Sequence, residues 1–565
     1  MKDKYKNIDK LLGAMDIEQK VGQLFVFSLF GSQIYPDVYK RIIKMNCSGL
    51  RINQGERMFR RYTRPDTGEI EGVYRIPKET DRDFNFIRAP HVSPSQYAAF
   101  LNSVKKIGME RPHGIPLHLV LDQEGGASAD FVMGGVHFFP SQMGIAATDD
   151  KELCFRIYSA IAKQLRAVGI NMIHSPVLDV NTNPNNPEIG VRAFGQEPKV
   201  CAEFGIQMLK AFEKHNLIAT GKHFPGRGAS ASDAHFELPV IDLSREELDT
   251  HLYPFKQLID AGIKAIMIAH SIYPGLDSSN DISTISKRIT TDILRGELGF
   301  EGVITTDSIS MGALIKQCKG DIPEACVRSL EAGADLILVK DEDWISEQCY
   351  NKMLDAVKSG RITEARIDES LLRTLKMKTD VGLFDNYDIV DVNNVEAVFS
   401  DPDLGKLENE SAEKIVSVLR NDKLIPFKEN DNVLLIEQEA RLGSKVNDVN
   451  CHCGMLWKEM LKYNPNVMSV ELPFCPNAKD IQRVLDRIEQ ADKLIITNNY
   501  LRGNDTSAWI DFIISLQKNK TKKIVLITNS PYPAGAIPEC KTVICTYGAI
   551  PAAWKQVSKI IFNGI

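Results

Sequence analysis

The chain has 565 residues, 43% hydrophobic and 25% charged, so it can build large cores but is too long for one ordinary domain. Its net charge of −6 gives no reason to expect nucleic acid or an anionic membrane as a partner. No apolar run approaches the roughly 18 residues of a membrane span, and the N-terminal MKDKYKNIDKLLGAMD has no apolar signal core, so a cytoplasmic location is expected.

Strand-like apolar runs alternate with helical patterns along the first two thirds. The strand candidates are Gln23–Ser28, Cys47–Ile52, Leu117–Leu121, Asn171–Leu178, Leu217–Lys222, Lys264–His270, Gly302–Thr306 and Asp335–Val339. Between them lie helical stretches such as Lys151–Val168, Pro198–His215, Arg245–Ala261 and Ile322–Ala332. Alternation of this kind predicts a parallel sheet, and eight repeats predict a (β/α)₈ barrel, with an open doubly wound sheet as the rival that counting leaves standing. The residues that close the strands favour the barrel. Asp122, Asp179, Lys222 with His223, His270 and Asp307 each end a strand run, and barrels gather such residues at one mouth.

An arginine-rich polar stretch, residues 51–92, interrupts the rhythm and is expected to be a loop inserted at the rim, either a lid or a plain excursion. The barrel is expected to span residues 1–385, with Tyr350–Ser359 and Glu364–Thr379 as its closing helices. Residues 386–406 lose periodicity and read as a linker. A helix over Glu408–Leu419 and the strand candidates Val433–Glu437, Val467–Leu472, Lys493–Thr497, Lys523–Thr528 and Thr542–Tyr547 then predict a smaller three-layer α/β sandwich over 407–565. No glycine-rich phosphate loop follows its first strand. The 11 cysteines are scattered apart from Cys451-His452-Cys453, which lacks a second ligand pair, so reduced thiols and no metal or cofactor are expected.

The chemistry concentrates in Gly221–Val240, GKHFPGRGASASDAHFELPV, and in Asp307 at the end of GVITT. Asp233-x-His235 on a small-residue loop has the spacing for a carboxylate to orient an imidazole. Alone, such a pair is more often a surface hydrogen bond. Together with LRGELGFEGVITTDSIS, KHFPG, DQEGG and SPVLD followed by GVR, it resembles the β-N-acetylglucosaminidase branch of the family 3 glycoside hydrolases. That resemblance implies retaining hydrolysis of a terminal β-N-acetylglucosaminide or related hexosaminide, and for an intracellular member a part in cell-wall recycling. It implies that Asp307 is the nucleophile and that His235, hydrogen-bonded to Asp233, is the acid/base. It also implies that Asp122, Arg192, Lys222, His223 and His270 hold the sugar. Histidine exchanges its proton near roughly pH 6.5, which suits a donor that must then act as a base. His118 and His174, inside apolar strands, read as core or supporting residues.

One departure matters. Where the branch continues Arg-Val-x-Arg after DQEGG, this chain has Ala127-Ser128-Ala129-Asp130, an acid where a sugar-binding base is expected. Two expectations follow: a preference for a sugar with a free amine, or an arginine from 51–90 taking the missing place. Arg227, where the branch often has histidine, is a smaller change. A phosphorylase on the same scaffold, a metal-dependent barrel hydrolase and a non-catalytic sugar-binding protein are the rivals. The oligomeric state is left open.

Overall fold

The computed structural model describes residues 6–53, 92–126, 128–132, 135–235, 237–340, 343–439, 453–474, 476–499, 507–518, 523–548 and 550–564. Eight parallel strands form one sheet: β1 (Phe25–Phe30), β2 (Gly49–Asn53), β3 (His118–Leu121), β4 (Met172–Ile173), β5 (Ile218–Phe224), β6 (Ala265–Ile268), β7 (Val303–Thr306) and β8 (Ile337–Val339). They lie in chain order, with β8 returning to pair with β1. A bridge between Thr305 and Leu336 and the hydrogen bond from Thr306 N–H to the Leu336 carbonyl close the circle between β7 and β8. The sheet is a barrel, not the open rival.

These strands are buried on both faces, as the unbroken burial of β3, β5, β6 and β7 shows. Val26, Val120, Met172, Ile218, Ala265, Val303 and Leu338 fill the interior, and Met377 of the helix Glu364–Asp380 packs against them. The mouth above them therefore has a floor. Helices ring the barrel because their apolar stripes match the outward strand faces. Their starts are locally encoded, as where Asp150 accepts from Leu153 N–H at 2.8 Å ahead of Lys151–Ala167.

Residues 386–406 differ from the expected linker. They contain two 3₁₀ turns, the helix Val395–Phe399 and the start of the helix Pro402–Ile415. Asp388 lies within the first of these turns, Asp385–Asp388, and is bound by Lys105 Nζ at 2.7 Å and by Arg166 Nη2 at 2.5 Å. Short turns dense in Asn and Asp leave no helical period to read, yet they pack. The helix expected over Glu408–Leu419 starts earlier and stops at Ile415, because Val416 is extended and Ser417–Arg420 forms a strand.

That strand, β9, is antiparallel to β14 (Thr542–Cys545) and makes a sixth member of the second sheet. The order is β9, β14, β13 (Lys523–Thr528), β12 (Lys493–Asn498), β10 (Val433–Gln438) and β11 (Val467–Leu472). Separate apolar cores cover its two faces, which gives the expected three layers. Phe138, from the barrel chain, packs into one of these cores, and Ser141 N–H donates to the Tyr547 carbonyl at 3.3 Å. Among the described residues no helix is long and apolar enough to cross a membrane. The polar insertion expected over 51–92 begins later, since Arg51, Ile52 and Asn53 belong to β2; residues 54–91 lie outside the described residues, as do Cys451 and His452.

Candidate active site

A cavity opens at the C-terminal ends of the barrel strands. Asp307 follows β7 and lines it. Its Oδ1 accepts from Ser308 N–H at 2.7 Å, and its Oδ2 lies 3.4 Å from Arg227 Nη2. Burial pushes this carboxyl up, but Arg227, His270, Lys340 and His235 outweigh burial and hold it well below the usual carboxylate range. It is therefore an anion at neutral pH.

His235 lines the same cavity about a quarter exposed, on the loop that follows β5. Its Nδ1 is 2.7 Å from Asp233 Oδ1, and its backbone N–H donates to the same oxygen at 2.9 Å. The carboxylate therefore grips both ring and backbone. The loop is pinned beneath by Asn186, whose Nδ2 donates to the Arg227 and Gly228 carbonyls. A Cβ on Gly228 would sit 1.8 Å from the Val180 carbonyl oxygen, so only glycine permits this approach. Glu188 Oε1 accepts an ion pair from Arg227 at 2.8 Å and lies 3.5 Å from His235 Nδ1. Glu188, Asp233 and His235 come close enough to hold an ion, but the Arg227 guanidinium already neutralises that corner.

Lys222 and His223 both face the cavity, where the register of β5 against β6 slips between Lys222 and Phe224. Lys222 Nζ bonds Asp122 Oδ1 and pairs with Glu124 Oε1, each at 2.5 Å. Glu124 also takes a fork from Arg192, at 2.8 Å and 2.7 Å. Although burial opposes it, these cations hold Glu124 down at about 2. His223 Nδ1 meets Asp179 Oδ2 at 2.7 Å, leaving Nε2 4.0 Å from Asp307. Burial, reinforced by Arg227, pushes His223 well below the usual histidine value, so its ring is neutral. Asp179, deeply buried, is pushed up to about 6.

His270 is not brought to the cavity with the others. It is fully buried, with Nδ1 2.5 Å from Thr284 Oγ1 and Nε2 2.9 Å from the Ser308 carbonyl, so it braces the backbone beside Asp307. A strand-end position signals the mouth but not whether the side chain points into it. Conversely His174, read as a supporting residue, lines the cavity with Nδ1 3.8 Å from Asp122 Oδ1. His118 stays in the core.

The departure at 130 has a partner. Gly125 and Gly126 both take positive φ, which folds the chain back as a small hairpin. Asp130 then sits beside Asp122, whose N–H donates to Asp130 Oδ2 at 2.8 Å. Arg51 Nη2 lies 2.6 Å from that same Oδ2 and also bonds Asp122. Burial pushes Asp130 up to about 6, with Arg51 pulling the other way and the Asp122 carboxylate adding to the rise. Lys340, just past β8, lines the cavity too, at a strand end like Asp122 and Asp307. Glu188 sits in a loop with no signal of its own.

Comparisons with known proteins give the family of the chain. The chain is 29% identical to beta-hexosaminidase A of Pseudoalteromonas piscicida over 422 residues, covering 71% of this chain and 68% of that protein. It is 26% identical to a beta-N-acetylglucosaminidase/beta-glucosidase of Cellulomonas fimi, covering 77% and 80% of the two chains. The solved structure of a glycoside hydrolase family 3 beta-N-acetylglucosaminidase from Paenibacillus sp. str. FPU-7 superposes with a TM-score of 0.82 at 28% identity, over 98% of this chain and 97% of that one. Residues 86–377, more than half of the chain, match the glycosyl hydrolase family 3 N terminal domain, and the chain belongs to that family.

Proposed function

We propose that the protein is a retaining exo-β-glycosidase that releases terminal β-N-acetylglucosamine, with Asp307 as nucleophile and His235 as acid/base. The carrying observation is one cavity lined by a carboxylate that neighbouring cations hold ionised and by a histidine whose Nδ1 is held by Asp233. Asp307 attacks the anomeric carbon while the glycosidic C–O bond breaks and His235 gives its Nε2 proton to the leaving oxygen. The neutral ring then takes a proton from water, whose oxygen displaces Asp307 and restores the enzyme. Asp233 fixes the tautomer of the neutral ring between the two steps and stabilises the imidazolium present before the first and after the second. The names of the two relatives and of the Paenibacillus structure support the acetamido sugar.

A screen of chromogenic β-glycosides that differ at C2, repeated with Asp307→Ala, tests this. The N-acetylglucosaminide should be the fastest, and the substitution should remove on the order of 10⁵-fold of its rate or more. Activity that survives it overturns the mechanism. A second reading, transfer to phosphate instead of water, draws on Arg227, whose Nε and Nη1 have no acceptor among the described residues. A neutral histidine acid/base also repels an incoming anion less than a carboxylate does. Release of sugar 1-phosphate, with a rate that rises with added phosphate, would favour it.

A further inference from the structure

Strand order fixes which wall of the cavity meets which end of a sugar ring. Asp307 follows β7 and Asp122 follows β3, four strands apart in a closed circle of eight, so they stand on opposite sides of the mouth. Granting the function proposed above, C1 lies against Asp307 and the C4 edge faces the wall built by Arg51, Asp122 and Asp130. On that wall Asp130 Oδ2 takes both Arg51 and Asp122 N–H. Its Oδ1 has no protein donor among the described residues, and the side chain lines the cavity. Arg51 is itself fixed, with Nη1 donating to the Ile52 carbonyl at 2.5 Å.

We propose that Asp130, clamped by Arg51, is a specificity-determining residue whose Oδ1 accepts a hydrogen bond from the C4 hydroxyl of a neutral glycone. The pairing argues against the free-amine alternative. Arg51 already compensates the Asp130 charge, and Lys222 and Lys340 line the same cavity, so an ammonium sugar meets more cations than unpaired anions.

The test is calorimetric binding at pH 7.5 of N-acetylglucosamine, its 4-deoxy analogue and glucosamine to the full-length wild type, Asp130→Ala and Asp130→Asn. A hydroxyl bonded to a charged acceptor is worth about ten- to hundredfold in affinity, so wild type should prefer the parent sugar over the 4-deoxy analogue by that factor. Asp130→Ala should narrow the preference at least about threefold (half, in free energy, of the lower bound), and Asp130→Asn, which keeps the shape and a neutral acceptor, should fall between. Where alanine fails to fold by thermal denaturation, the asparagine variant alone decides. Equal losses for both sugars would make Asp130 only a brace for Arg51 and overturn the inference, as would tighter binding of glucosamine. A wild type that binds neither acetamido sugar overturns the glycosidase reading, and this inference with it. A wild type that discriminates while both variants keep the full preference overturns this inference alone.

Discussion

The most demanding consequence of the site concerns Arg227. It is the cation nearest the expected nucleophile, 3.4 Å from Asp307 Oδ2, and both side chains are largely withdrawn from solvent. A charge pair at that separation is worth about 5 kcal/mol at an effective dielectric near 20, equivalent to about 3 to 4 pH units on the carboxyl. Replacing Arg227 by methionine removes that support and leaves burial, the largest influence on Asp307, less opposed. Glu188 should be changed to glutamine in the same protein, because it would otherwise lose its 2.8 Å partner. His270, Lys340 and His235 remain, so the rise should be about two units or more rather than the full amount. Asp307 must be ionised to attack, so activity disappears as pH falls through its value. In wild type that limb lies below the ordinary carboxylate range; in the double variant it moves upward. The assay is kcat/KM against pH for the aryl N-acetylglucosaminide, from pH 3 to 9, with Arg227→Lys as the charge-keeping comparison. A folded double variant with an unmoved acid limb would refute the electrostatic argument.

Two further outcomes follow from the geometry. His235→Ala should cost about 10³-fold on alkyl glycosides, whose leaving group needs a proton, and far less on nitrophenyl glycosides. Asp233→Asn should show the same pattern more weakly, and equal losses across a leaving-group series would remove His235 from the acid role. Asp388, held down at about 2 despite burial, by Arg166 and Lys105, should contribute about 2 kcal/mol of stability at neutral pH. Its folded value is depressed, so that contribution is complete above the ordinary aspartate value near 4 and fades as pH falls toward 2. Urea denaturation of Asp388→Asn against wild type should therefore show a gap at pH 7 that shrinks at pH 3.

The barrel was legible because eight apolar runs repeat with helical stretches between them, and because residues such as Asp122, Lys222 and Asp307 follow those runs directly. Period reports which residues are buried, and strand ends report the mouth. Neither reports which way a buried histidine points, so His270 and His174 exchanged places relative to expectation. Arg51 opens a long polar stretch of sequence and reads as part of it, yet it lies inside β2, between Ser28 of β1 and Val120 of β3. Its pairing with Asp130, across 79 positions of sequence, is set by the adjacency of β2 and β3 and by the hairpin at Gly125-Gly126. The packed turns of 386–406 escaped because capping by Asp and Asn leaves the composition of a loop.

Phe138 and Ser141 give the second domain, none of whose described residues lines the cavity, a part in shaping it. The chain that carries Asp130 on one side of its bend is moored on the other side to the sandwich, through an aromatic ring in its core and the Tyr547 carbonyl. The sandwich thus works as a foundation for one wall of the sugar pocket. Heat or denaturant that loosens the smaller domain would slacken that wall while the eight strands are still closed, so recognition would fail ahead of the barrel. A sugar held against the wall would, by the same mooring, tighten both domains at once.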